Sequence, residues 1–330
     1  MSKLKKQFKS KSKEQIIEEI SAPIIQALED GKRVWSMPFM RTEGVHSAYN
    51  YQSKTFYKGL MNQMSLGCRQ LKEGWEHNAW LTYKGAKALG GYVPREAKGK
   101  GAIVTFWKFT KIEKKDAEGN VIYDANGDAE MRTIPFLKSY MVFNVAQCKD
   151  IPMPEKKKEE KFKPLKVLKD AEKIVKAYDL QEKNLKIKIH DKAEARFIPS
   201  RDVIECPSMR NHVEVAKKNK QSVNDGKQHY YSTLFHEMIH SSGHKSRLDR
   251  LEENFSFGDN EYSKEELVAE IGSSVLCSEA GLNSEVVFNN TLAYCQSWAK
   301  KLKSDPQWIL WASSRALTAS NYILGDKNDK

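Results

Sequence analysis

The sequence predicts an α+β protein of two domains: an N-terminal half that mixes helix and strand, and a mainly helical C-terminal half that carries a small sheet. Three observations predict it. At 330 residues the chain exceeds one typical compact domain. Hydrophobic residues at 40% and charged residues at 30% supply each half with core and surface, which excludes a disordered or low-complexity chain. The periodicity also changes along the chain, turn-rich and extended before residue 150 and helical beyond residue 230.

The elements follow in order. Ile16, Ile17, Ile20, Ile24, Ile25 and Leu28 recur at helical spacing, so about Lys13 to Glu29 makes an amphipathic helix with Gly31 just past its end. Aromatic, polar and glycine-rich sequence runs on to about Trp107. Segments near Ile103 to Phe109 and Tyr140 to Val145 read as strands, with turns in the stretch Asp116 to Asp128 between them. Ile151-Pro152-Met153-Pro154 and the charge run Glu155 to Lys163 resist both helix and strand. Domains of residues 1–150 and 165–330 are therefore expected, joined by a linker over 151–164. Beyond it come a helix from about Leu165 to Tyr178 and β-like runs at Leu185 to Ile189 and Ala195 to Cys206, the second broken as a hairpin at Pro199 to Asp202. Helices are then expected from Tyr230 through His236, from about Ser263 to Glu279, around Leu292 to Leu302, and from Pro306 to Tyr322.

The formal net charge of +12 favours a partner such as nucleic acid or an anionic surface, although many lysines stand beside glutamates as solvated surface. No run of about eighteen apolar residues exists, and the lysine-rich start leads into no apolar signal core, so a cytoplasmic protein without membrane partners is expected. Five scattered cysteines without a Cys-x-x-Cys pair read as reduced, mostly buried thiols.

One motif carries chemistry. In His236-Glu237-Met238-Ile239-His240 the two histidines lie four residues apart and project from one helical face, close enough to hold a single ion, here Zn2+. Glu237 lies on the adjoining edge, within reach of a water. A metzincin needs a further histidine where Ser246 stands. A gluzincin-like site instead takes a carboxylate from the next helix, and Glu265-Glu266-Leu267-Val268-Ala269-Glu270 offers acids one turn apart. Glu266 is the expected third ligand, with Glu270 orienting a histidine ring. Ser263 and Glu266 also match a capping box, and on that reading Glu270 binds the metal. Gly272-Ser273-Ser274 would let the two helices approach closely.

Further stretches extend the match: Phe197 to Pro207, His240 to Arg250, and Glu265 to Gly272. Together they resemble the ArdC antirestriction family and the zincin-like domains of plasmid and phage polyvalent proteins. Weaker stretches in the N-terminal half occur in that family's order: Trp35-Ser36-Met37-Pro38, Asn50 to Gly59, Trp80 to Lys84, Leu89 to Val93, and Val142 to Cys148. The resemblance implies an N-terminal single-stranded DNA-binding domain, a C-terminal zincin-like metallopeptidase domain, a host protein or peptide as substrate, and protection of incoming DNA from restriction. Two departures stand out: Ser241-Ser242 before Gly243-His244, and a long acidic insertion from Lys114 to Arg132.

Single strands are bound by positive grooves and aromatic faces, and residues 49 to 109 interleave both kinds of side chain. Tyr51, Tyr57, Lys58, Lys84 and Lys100 are the expected strand contacts, whereas Trp80 and the aromatics from Val104 to Phe109 are expected to be mostly structural. If the site is catalytic, Glu237 acts as general base, and Tyr262 or His244 is a candidate for polarising the tetrahedral intermediate.

Overall fold

The computed structural model describes residues 11–37, 46–155, 164–251, 260–282, 284–287 and 292–326. The first element, α1 (Lys13–Glu29), starts at a capping box between Ser12 and Gln15 and buries Ile16, Ile17, Ile20, Ile24 and Leu28. After a short 3-10 turn at Val34–Ser36 come β1 (Tyr49–Asn50), α2 (Leu60–Lys72), β2 (Ala79–Leu81) and α3 (Tyr83–Ala88). Two long strands follow, β3 (Ala102–Glu113) and β4 (Met131–Asn144), antiparallel along their whole length from Ala102 opposite Val142 to Glu113 opposite Met131. The first sheet has the order β1-β2-β4-β3. Its outer half is a two-stranded ribbon, because β1 and β2 are only two and three residues long.

The turns expected between the two strands are closed by aspartates. Asp116 Oδ1 accepts from the backbone N–H of Glu118 and Asn120, and Asp124 Oδ1 from those of Asn126 and Asp128.

The second half continues as α4 (Pro164–Gln181), β5 (Lys186–His190), β6 (Arg196–Ile198), β7 (Val203–Pro207), α5 (Met209–Lys218), α6 (Val223–Ser242), α7 (Asn260–Ala280), α8 (Ser284–Val287), α9 (Leu292–Ser304) and α10 (Gln307–Leu324). Its sheet has the order β5-β7-β6, with β5 parallel and β6 antiparallel to β7. The hairpin break falls at Pro199–Arg201, with Asp202 in the left-handed region at φ 49°. Both oxygens of Asp202 accept from the Arg247 guanidinium, which also donates from Nε to Ser241 O at 2.7 Å. The hairpin is thereby tied to the end of α6.

One hydrophobic core runs through both halves of the chain. Ile20, Ile24, Leu28, Trp35, Leu60 and Met64 share it with Phe235, Met238, Leu267, Leu276, Trp298 and Ile309. The linker expected over 151–164 lies, from 156 to 163, outside the described residues. The cysteines are free thiols, buried at Cys68, Cys206, Cys277 and Cys295 and half-buried at Cys148. Among the described residues no helix is long and apolar enough to cross a membrane.

Candidate metal centre and nucleic-acid interface

Helix α6 is fixed at its start by a capping box between Ser222 and Asp225 and is followed at once by Gly243. Its apolar positions Leu234, Phe235, Met238 and Ile239 are buried, which leaves the His236 and His240 rings on one open face, centroids 4.8 Å apart. Helix α7 packs directly against it. A Cβ at Gly272 would stand 2.7 Å from Ile239 Cδ1, so only glycine permits this approach without displacement.

The close packing brings Glu266 to the histidines. Its Oε2 lies 3.5 Å from His236 Nε2 and its Oε1 3.3 Å from His240 Nε2, and the two Nε2 atoms are 3.1 Å apart. Among the described residues, His236, His240 and Glu266 form the one group of three or more whose ligand atoms all lie within 4.8 Å of one another. Burial opposes charge on His240, but the carboxylates of Glu265 and Glu266 outweigh it and raise its pKa to about 10. Burial likewise opposes charge on Glu266, yet hydrogen bonds from the two histidines hold it well below the usual carboxylate range. The carboxylates thus favour positive charge at the histidines.

The acid that orients a histidine is not the one expected. Glu265 Oε1 accepts from His240 Nδ1 at 3.2 Å and takes a two-point contact from Arg250, Nε to Oε2 and Nη2 to Oε1, each at 2.8 Å. Glu265 is 3% exposed, so this carboxylate is committed to its two partners. Glu270 instead pairs with Arg33, whose guanidinium also lies 5.0 Å from the Tyr294 ring centroid. The capping-box alternative also fails, because α7 already begins at Asn260 and Ser263 lies inside it, where its hydroxyl accepts from Lys301. Arg250 was the missed signal, a basic residue just ahead of an acidic helix.

Glu237 is 7% exposed and close enough for its charge to help push the Cys206 thiol up to about 12, after burial. His244 packs edge-on against Phe197 at 6.3 Å, and its Nδ1 meets Ser246 Oγ. The side chain of Tyr262 lies outside the described residues.

The expected strand contacts divide. Lys58, Lys84 and Lys100 are exposed. Tyr51 and Tyr57 are each only 7% exposed and belong to separate apolar clusters, and Lys54 Nζ sits 3.5 Å from the Tyr51 ring centroid. Neither tyrosine offers a face to a base. Trp80 is fully buried as expected, but the aromatics just beyond Val104 are not structural: Phe106, Trp107 and Phe109 are exposed, as are Phe136 and Tyr140 across the ribbon. Strand register sorts them. Phe106 faces Lys138 and Lys108 faces Phe136 across the strands, with Tyr140 next on the same side. The Phe106 and Tyr140 rings are 6.0 Å apart, and Lys138 Nζ lies 5.9 Å from the Phe136 centroid. The result is a checkerboard of aromatic and basic side chains.

Two family models match successive parts of the chain. A model of the N-terminal domain of anti-restriction factor ArdC matches residues 14–143, and one of zincin-like metallopeptidases matches residues 170–315. A DNA primase TraC of Escherichia coli is 32% identical over 93% of this chain, although the chain spans only 27% of that relative's length. The uncharacterized protein y4eC of Sinorhizobium fredii is 29% identical over 95% of this chain and 93% of its own. Crystal structures of the antirestriction ArdC protein from plasmid R388 superpose with TM-scores of 0.61 for the metal-free form and 0.63 for the Mn(II)-bound form. Their identities are 29% and 28%; they cover 94% and 95% of this chain, and 97% and 99% of the plasmid protein. With both domain models matched in order and a like fold over nearly its whole length, this chain combines an N-terminal domain similar to that of anti-restriction factor ArdC with a zincin-like metallopeptidase domain.

Proposed function

We propose that the chain is an antirestriction protein of a mobile element, which binds single-stranded DNA and carries a zinc-dependent peptidase site, protecting incoming DNA from host restriction. The observation that carries the metal half is the convergence of His236, His240 and Glu266. The donor set suits a divalent ion: two imidazoles and one carboxylate leave a position open for water or substrate, as in catalytic zinc sites. Glu265 accepts from His240 Nδ1, so on metal binding only the Nε2 proton would be displaced, with that nitrogen's lone pair directed towards the other two ligands. Zn2+ held there would supply Lewis acidity and would lower the pKa of water towards 7.

The chain's own residues do the rest. Glu237 takes a proton from the water that attacks the peptide carbon, and passes it to the amine nitrogen as the C–N bond breaks. Glu265 holds His240 in one tautomer throughout, with Arg250 fixing Glu265. For the DNA half, the aromatic and basic ribbon face supports single-strand binding better than the buried tyrosines do, because stacked bases need open rings beside positive charge.

Metal content of the purified wild type beside His236→Ala, Glu266→Ala and Glu270→Ala tests the ligand set. Zinc should be lost from the first two and kept by the third; loss from Glu270→Ala alone would reverse the assignment. Glu237→Ala separates chemistry from occupancy, since protection that survives with zinc still bound would rule out peptidase action as its cause.

A further inference from the structure

A cavity of about 980 Å³ does not include the three metal-site residues but opens on the same face of α6. His229 and Thr233 line it, and they precede His236 by seven and three residues, so helical geometry stacks them with His236 and His240 in one stripe. Thr233 is therefore about 5 Å along the helix from His236, one turn. The opposite wall is α5, with Asn211 and His212, and the Asn219 that caps its end, and it stands close because a Cβ at Gly226 of α6 would come within 2.5 Å of Val213 Cα.

Beside the buried, apolar Pro207 and Ala216, the half-buried polar groups of this cavity, Asn211, His212, His229 and Thr233, are uncharged. His212 donates from Nδ1 to Ser208 O at 3.1 Å, which makes its Nε2 an acceptor for the Thr233 hydroxyl at 3.3 Å. The Thr233 oxygen keeps lone pairs of its own. No hydrogen bond to the His229 ring is formed within the described residues, and burial lowers the pKa of both His212 and His229, so each is neutral near pH 7. A neutral imidazole offers one N–H and one lone pair. The charged residues at the rim are partly engaged elsewhere: Asp191 accepts from Ser208 Oγ, and Glu214 pairs with Arg210.

We propose that this cavity is a substrate subsite for a carboxamide side chain, glutamine or asparagine, of a peptide whose scissile bond lies at the metal centre. A carboxamide both donates and accepts, which matches the Thr233 oxygen and the two edges of His229. A carboxylate would meet one lining cation, Lys218, which is exposed and six residues along α5 from His212, and an aliphatic chain would leave His229 unsatisfied. The proposal rests on the metal reading above, and its test keeps the two apart.

The zinc-loaded full-length chain would be titrated calorimetrically with acetohydroxamate, which reports the metal alone, and with the hydroxamates of glutamine, glutamate, leucine and lysine. Glutamine hydroxamate should bind about tenfold tighter than the other three amino-acid hydroxamates, the worth of a pair of neutral hydrogen bonds. That margin should disappear in His229→Ala and in the near-isosteric Thr233→Val, with acetohydroxamate binding unchanged in both. Equal affinity for all four side chains, or a margin that persists in both variants, would overturn the subsite. Failure of acetohydroxamate to bind the wild type would instead overturn the metal reading, and the subsite with it.

Discussion

Arg33 lies far from the metal cluster in sequence, yet it pairs with Glu270, one turn along α7 from Glu266. Replacing it with glutamine would leave a carboxylate facing a protein interior. The Arg33 side chain is 10% exposed and that of Glu270 17%, so the pair is largely removed from water. Breaking a buried pair by removing one partner costs roughly 3–5 kcal/mol, and the residual exposure of Glu270 places this case near the lower end, about 3 kcal/mol. Unfolding entropy of roughly 2.1 cal/mol/K per residue gives a chain of 330 residues about 0.7 kcal/mol/K, so Tm should fall by about 4 °C. Because Glu270 shares a helix with Glu266, zinc affinity should also fall, by about tenfold. The assay is a double-mutant cycle by thermal unfolding with zinc titrations on the same four proteins. Arg33→Gln combined with Glu270→Gln removes the stranded charge and should recover most of the loss, giving a coupling of at least ~1.5 kcal/mol. A coupling near zero, or an Arg33→Gln protein as stable as the wild type, would refute the reasoning that this pair pins α7.

Glu265→Gln should weaken zinc binding by about 10–100-fold, as changes behind a metal-binding histidine do, and should exceed the effect of Glu270→Gln in an equilibrium competition with a chelator. Phe106→Ala and Phe136→Ala should each cost about 1–3 kcal/mol of oligonucleotide affinity in an anisotropy titration, while Tyr51→Phe changes nothing. Replacing Lys108 or Lys138 with glutamine should make the log-affinity against log-salt slope shallower by about 0.7. In the metal-free protein, burial opposes charge on His240, but Glu265 and Glu266 raise its pKa from 6.5 to about 10. A raised folded-state pKa gives stability that is complete below pH 6.5 and lost as pH rises through 10, so Tm of the metal-free protein should fall across that window and the fall should be smaller in His240→Ala.

Where side chains face apolar neighbours, the elements are legible from periodicity alone. The isoleucine stripe of α1 and the hairpin break at Pro199 both fall where the pattern puts them. Helix α2 escapes the same reading for a physical reason. Asn62 and Gln63 are buried because they act as backbone mimics: Asn62 exchanges hydrogen bonds with the main chain of Thr105, and Gln63 with Ala48 and Tyr57. Polar letters in buried positions erase the amphipathic signal that marks a helix. The shared core is equally hidden, since nothing in the local sequence around Trp35 says that it will meet Trp298, edge-on at 6.0 Å.

The site divides along the same line. Two histidines four residues apart define their own geometry, because one helix supplies both, and any sequence reader can place them. The roles of Glu265, Glu266 and Glu270 depend on the rotation of α7 about its axis, which no spacing within α7 fixes. That rotation is set from outside the helix. Gly272 lets Ile239 in on one side, Arg250 captures Glu265, and Arg33 captures Glu270, which leaves Glu266 as the acid turned to the histidines. Two arginines from separate parts of the chain therefore decide which of three glutamates meets the two histidines, and that choice is a property of the assembled core and not of the acidic motif.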